Sequence, residues 1–502
     1  MRVGIVGAGV AGLCTAKVLR QVGHDVVVYD RTPDVGGVWS ASRRYPGVST
    51  QSAKDTYAFS DFPMPAHYPE WPSGEQVQSY LAAYAAHTGV EESLRLRTEV
   101  RHAAAVDGGG WDLTLSHEGE QSHDRVDHLV VANGVFSTPN VPDFEGRAEF
   151  EAAGGRVCSA CEFLDAEDAR GRHVVVVGYG KSACDVSVAL ADAAEGTTVV
   201  ARQLLWKVPR KIAGVVNFKH LLLTRLGETL FRYIRLQGFE KVVHGPANGL
   251  RRRMLDSLGP VSVRQFGLRD LDLVPRGRFE DIVRGAIGLT TEGFFERVRS
   301  GVIDVHRDTT VARLLVADGI PQAELADGTR VRADLVVCAT GFRQEVPFLD
   351  AEVAGRLRDE RGNFVLYRQV LPLDVDDLTF AGYNSSFFSP LNAEMAAVWI
   401  AARLGGTLQL PPREEMRAHV IAQLAFMDAA TDGHHSHGTK IIPFSLHHMD
   451  EVLGDVGLDV GRGAKLKQWL GPVDPSAYGE VSTRMAARLA GPERATPVRS
   501  GA

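Results

Sequence analysis

Two short glycine-rich runs carry the spacing that chemistry on an anionic ligand would need. Gly7-Ala8-Gly9-Val10-Ala11-Gly12 follows an apolar run and opens a helical pattern, and an acid, Asp30, closes the next apolar run. Glycines at this spacing allow a tight turn and let a pyrophosphate approach a helix N-terminus, where free N–H groups and the helix dipole favour negative charge. A carboxylate one strand further on would accept hydrogen bonds from ribose hydroxyls, so the set reads as a dinucleotide site. Gly178-Tyr179-Gly180-Lys181-Ser182-Ala183 repeats the pattern, with Ala183 for the third glycine and Arg202 where the first unit has Asp30. A guanidinium grips a 2′-phosphate that an acid would repel, so the second site reads as one for NADPH. The alternative is a surface Arg202 on an NADH site.

The elements needed to position these turns are legible as apolar runs. Strands are expected over 2–6 and 25–29 with a helix over 10–22 between them. A buried strand over 126–132 ends at Asn133-Gly134. The pattern then restarts, with strands over 173–177 and 197–201 and a helix over 184–194. Such continuous apolar strands suit parallel sheets covered on both faces. Residues 45–71 read as a long ordered loop, 76–87 as a helix, and 94–100 with 111–116 as an antiparallel piece joined by Gly108-Gly109-Gly110. Residues 203–301 form a mostly helical insertion, and 203–253 hold eleven Lys/Arg against two acids. That basic stretch could lie on a membrane surface, lid a channel, attract phosphates, or be an ordinary solvated face. Short strands over 302–311, 313–316 and 323–325 lead to a buried strand over 333–338, then a strand over 378–381 and a helix over 393–404.

Composition excludes several classes. The 502 residues are 44% hydrophobic and 23% charged, as in an ordinary globular chain long enough for two domains. Lys+Arg 55 against Asp+Glu 62 leaves −7, with no basic excess to suggest nucleic acid. Five cysteines are few and odd in number, which argues against a disulfide framework. No leader precedes the first strand and no apolar run of about 18 residues occurs, so a cytoplasmic location is expected. Contact with a membrane surface is not favoured, and a homodimer is left open.

Gly36-Gly37-Val38-Trp39 after the first unit resembles FAD-binding flavoproteins. With the strand ends Ala132-Asn133-Gly134 and Ala339-Thr340-Gly341, the order of motifs resembles the two-dinucleotide-binding flavoproteins. Tyr45 to Lys54, Asp61-Phe62-Pro63-Met64-Pro65, Tyr68-Pro69, Met449-Asp450-Glu451 and Arg488 to Pro492 further resemble the flavin-containing monooxygenase family. The resemblance implies an α/β protein with two Rossmann-like dinucleotide-binding domains. The FAD domain would be discontinuous, over 1–165 and 331–450. The NADPH domain would span 166–330, including the helical insertion, and 451–502 would form a helical extension with a disordered tail from Pro492. It also implies NADPH- and O2-dependent insertion of one oxygen atom into a small organic substrate, at N or S or into a ketone, through a C4a-(hydro)peroxyflavin. FAD would rest on Gly7, Gly9, Val10, Ala11, Gly12, Asp30, Arg31, Gly37, Val38, Trp39, Thr50, Val100, Ala132 and Gly134. NADPH would take Gly178, Gly180, Lys181, Ser182, Ala183 and Arg202, with Ala339, Thr340 and Gly341 where the chain crosses between domains.

The chain departs from that family's pattern at several points. Gln51, the candidate catalytic residue, stands where the family has Asn. The fingerprint before the second turn is degraded: Phe150 and Gly154-Gly155 are present, Ser159 takes the place of a His, and Phe163 that of the Trp of Baeyer–Villiger enzymes. Cys158-Ser159-Ala160-Cys161 leaves open a thioredoxin-reductase-like dithiol, and the departures together leave open a catalytically altered flavoprotein. His434-His435-Ser436-His437 could bind a metal but reads rather as a polar loop. Asn384 to Phe388 is expected either to line the flavin or substrate pocket or to be a plain loop.

Overall fold

The computed structural model describes residues 1–284, 288–384, 386–430 and 445–491. The His434–His437 cluster and the tail from Pro492 lie outside the described residues. Two parallel five-stranded sheets organise the rest. In the first, the order is Leu378–Phe380, His128–Val131, Arg2–Val6, Asp25–Tyr29, Leu94–Arg95. Its side chains alternate between two cores, as the period of a strand demands. Val3, Ile5, Val26, Val28 and Val130 pack with helices Val10–Gln21 and Ser389–Leu404. Val6, Val27, Tyr29, Leu129 and Val131 pack the other way, against Trp111, Leu113 and Leu115.

The second sheet runs Ile303–Arg307, Gly196–Ala201, His173–Val177, Leu335–Cys338, Arg156–Ser159. Its Val174 and Val176 face the helix Lys181–Leu190, and Val175, Val200 and Val336 face Phe150 and an antiparallel sheet of Val311–Ala317, Ile320–Leu325 and Arg330–Arg332. Strands 156–159 and 335–338 therefore belong to this sheet, although they fall outside the span 166–330 expected for the second unit. The chain enters and leaves the unit through hydrogen-bonded strands and not through linkers.

Local differences have local causes. Leu94–Arg95 joins the first parallel sheet, so the antiparallel piece is three strands, Thr98–Ala105, Trp111–His117 and Glu120–Val126. The helix after the second turn begins at Lys181 and not Cys184, because the turn is complete at Gly180, its N-cap. The last long buried helix starts at Ser389, earlier than expected, with Pro390 in its first turn where a missing N–H costs nothing. The insertion is helical over Arg225–Thr229, Glu240–Val243 and Asn248–Phe266, and it adds a short parallel pairing of Lys207–Val208 with Gly288–Leu289.

Candidate active site

Backbone contact, more than side-chain chemistry, shapes the first glycine turn. Gly7 has φ +117°, and a Cβ there would stand 2.3 Å from the Ala132 carbonyl oxygen. A Cβ on Gly12 would fall 1.8 Å from the Gly7 oxygen, so no larger residue fits without moving the helix off the strand. The Asp30 carboxylate accepts from the Ala8 N–H at 2.7 Å and from the Thr32 N–H and hydroxyl at 2.8 and 2.7 Å. Gly36 and Gly37 fold over this turn, close enough that a Cβ on Gly37 would lie 3.2 Å from the Gly9 Cα. Trp39 follows, buried, its indole N–H donating to the Tyr57 hydroxyl at 3.2 Å. The two rings meet edge to face with centroids 6.0 Å apart.

The second turn is built alike, Gly178 lying against the Ala339 carbonyl. At its helix, Lys181 pairs with Asp185, with side chains 8% and 1% exposed. Asp185 also accepts from Thr291 and, at 3.4 Å, from the Tyr45 hydroxyl. Burial pushes the Asp185 carboxyl up and the Lys181 ammonium down, and their pairing opposes both shifts.

Those contacts draw the long loop onto the second unit, and further ones hold it there. Arg210 donates to the Ser49 hydroxyl at 3.0 Å, and the Leu289 N–H donates to Gln51 Oε1 at 3.1 Å. Gln51 thus spends its carbonyl on the insertion and keeps its amide N–H groups. Arg43 donates to the Phe136 carbonyl at 2.9 Å, with burial pulling its guanidinium below the ordinary range. Lys207 donates to the Tyr179 carbonyl at 2.7 Å and sits over the Tyr179 ring.

Between the two turns lies a cavity of about 490 Å3. Of the residues singled out in the sequence, Gly7, Gly9, Val10, Ala11, Asp30, Arg31, Gly37, Val38, Trp39, Gln51, Val100, Ala132, Gly134, Gly180, Lys181, Ser182, Ala339 and Gly341 line it. Six do not. Gly12 and Gly178 support the turns from behind, and Ala183 is fully buried in the second core. Thr50 is buried with its hydroxyl unpartnered, Thr340 donates to the Asn140 carbonyl, and Arg202 is exposed at the end of its strand. Arg43, Tyr57 and Cys161 line the cavity without having been singled out as cofactor contacts, and Ser386 and Phe387 bring the flagged 384–388 segment to it.

Such a cavity, lined by both glycine turns, fits a dinucleotide cofactor. An acid-braced glycine turn and several aromatic side chains line it, and one hydroxyl on its wall, Ser137, is buried without a partner in the protein. The cysteine pair fits a dithiol poorly. Burial raises the Cys158 thiol to about 11, while Cys161 faces the cavity beside the Ser159 hydroxyl at 3.2 Å. A thiol so raised supplies almost no thiolate near neutral pH. Among the described residues no cluster of His, Cys, Asp or Glu could hold a metal ion, and no helix is long and apolar enough to cross a membrane.

A family model described as flavin-binding monooxygenase-like matches residues 1–244 and 314–459. Over 506 residues the chain is 25% identical to the probable flavin-containing monooxygenase 1 of Arabidopsis thaliana, with 92% of each covered. Its fold is similar to that of an S-allyl-L-cysteine S-oxygenase from Allium sativum, with TM-score 0.60, 19% identity and coverage of 98% of this chain and 94% of that one. Cyclohexanone monooxygenase from Rhodococcus sp. Phi1, bound to NADP+, is similar with TM-score 0.65, 16% identity and coverage of 91% and 97%.

Proposed function

The chain belongs to the flavin-binding monooxygenase-like family, and from that premise we propose that the cavity between its two glycine turns is where FAD and NADPH meet. It is an FAD-dependent monooxygenase that consumes NADPH and O2. Bound FAD supplies the chemistry, accepting hydride from NADPH and activating O2, and the protein supplies binding, orientation and shielding. For each turnover NADPH, a proton, O2 and substrate become NADP+, water and product carrying one oxygen atom.

In this reading the pyrophosphate of FAD lies at the helix start by Gly9, Val10 and Ala11, where N–H groups face the cavity. Asp30 meets the adenosine ribose, and Trp39 and Gln51 flank the flavin end. NADPH follows Gly180, Lys181 and Ser182 to Arg202, whose exposed guanidinium is free to reach a 2′-phosphate at the rim. The FAD unit is built on the first sheet and the NADPH unit on the second, with the insertion packing into the cores of both. The observation that carries this reading is that one continuous cavity is lined by both glycine turns.

Substrates are small organic molecules oxygenated at N or S or at a ketone; the similarity to both an S-oxygenase and a cyclohexanone monooxygenase keeps both chemistries within reach. The test is to measure FAD per chain, anaerobic bleaching of that flavin by NADPH, and product formed per O2 consumed with thioether and ketone probes. Product equal to O2 supports the reading. Flavin that NADPH does not bleach would overturn it in favour of a catalytically altered flavoprotein.

A further inference from the structure

We propose that the Tyr57 hydroxyl donates a hydrogen bond to the flavin, a role that rests on the placement of FAD given above. Tyr57 lines the cavity with Trp39, Gln51, Ser52 and Phe387. Its oxygen is occupied on one side, accepting from the Trp39 indole N–H at 3.2 Å. An oxygen accepting from that direction must send its own hydrogen elsewhere, and among the described residues nothing accepts it. The phenol therefore keeps one unspent donor at the wall of the cavity. A donor left unspent at a partly buried site is costly unless a ligand takes it up.

The chemistry of the group agrees with the geometry. Burial pushes the Tyr57 phenol up to about 12, so it holds its proton at neutral pH and acts as a donor, not as a base. Reduction makes the flavin more electron-rich, and a fixed donor aimed at such a group stabilises it without reorganising. Among the neighbouring hydroxyl and indole donors none is left unspent. The Ser52 hydroxyl donates to the Phe387 carbonyl at 2.6 Å, and Gln51, held through its carbonyl by the Leu289 N–H, keeps amide N–H groups that donate from a different point on the wall. The indole N–H of Trp39 is spent on Tyr57 itself, so Trp39 fixes the phenol's direction.

Tyr57→Phe keeps the ring and removes the donor. In the full-length FAD-loaded protein the variant is expected to retain one FAD per chain and to be reduced anaerobically by NADPH. The midpoint potential of its bound flavin should fall. The H2O2 released per NADPH should rise by about three- to tenfold, the effect of one lost neutral hydrogen bond on partitioning. An unchanged potential with an unchanged H2O2 ratio overturns the proposal, because a ring that merely packs would give that result.

Trp39→Phe is the companion variant. Because the indole only aims the phenol, this variant should move both quantities in the same direction and by no more than Tyr57→Phe does, and a larger movement overturns the proposal. Should Tyr57→Phe lose FAD, a ring-fluorinated tyrosine at 57, of nearly the same size but a stronger donor, should raise the potential; no movement overturns the proposal. A wild-type chain that binds no FAD overturns the cofactor placement itself, which the FAD-per-chain measurement separates from failure of the Tyr57 role.

Discussion

Glu394 sits on the buried helix Ser389–Leu404 with 2% exposure, its carboxylate accepting from the Ser60 N–H at 2.7 Å and the Ser60 hydroxyl at 3.1 Å. Burial outweighs those bonds and pushes it up to about 7 from the ordinary 4.5. A raised carboxyl stabilises the fold through its protonated form, so its contribution is complete below 4.5 and lost as pH climbs through 7. The loss is about 3 kcal/mol. Melting temperature should therefore fall across that window in the wild type, and Glu394→Gln should flatten the dependence. Gly12→Ala tests the opposite kind of site, where shape alone decides. With its Cβ 1.8 Å from the Gly7 oxygen, the variant should purify without FAD, as read from its visible absorbance. Gly12 is evident in the sequence because turn geometry is local. Tyr57 is not, because its partner, Trp39, comes within reach only once the long loop has folded back.

At the scale of elements, the insertion is fastened to the C-terminal helices by the Arg225–Asp450 ion pair and by a histidine. His447, on helix Ser445–Asp455, bonds Glu240 through Nε2 and lies 3.4 Å from Glu228 through Nδ1. The Tyr233 ring stacks on its imidazole at 4.5 Å. Both glutamates are buried on short helices of the insertion, and together they raise the imidazole above its ordinary 6.5 despite burial. The stabilisation is fully present below 6.5 and fades as pH rises through the raised value. We expect His447→Gln to lower the melting temperature most in acid and to converge on the wild type at higher pH. The end of strand Gly196–Ala201 carries a separate expectation: Arg202→Ala should weaken the preference for NADPH over NADH, in kcat/KM, by about tenfold or more. The apolar strands were legible because five-residue runs such as His173–Val177 are buried on both faces. Arg156–Ser159 was not, since its four residues carry no apolar run and its register is set only by pairing with Leu335–Cys338.

For the molecule as a whole, the cavity takes walls from both sheets' units, so its ligand should brace the entire chain. FAD at about 100 times its Kd is expected to add about 2.7 kcal/mol to the stability of the stripped protein. Scanning calorimetry of stripped and reloaded protein measures this, and equal transitions would mean that FAD binds without linkage to folding. Two nucleotide-binding units and their order could be read from the glycine turns. How they interlock could not, because it depends on strands 156–159 and 335–338 crossing into a sheet whose other members lie between them in sequence.

The strand His128–Val131 is flanked on one side by Arg2–Val6 and on the other by Leu378–Phe380. During synthesis its first neighbour is already waiting, whereas the second is about 250 residues away. At ribosomal speeds this apolar edge stays open for on the order of tens of seconds, long enough to recruit a stray strand from another nascent chain. Yield in the cell is therefore expected to depend on chaperones that shield one edge of one sheet, and chains truncated before 378 should collect in the insoluble fraction.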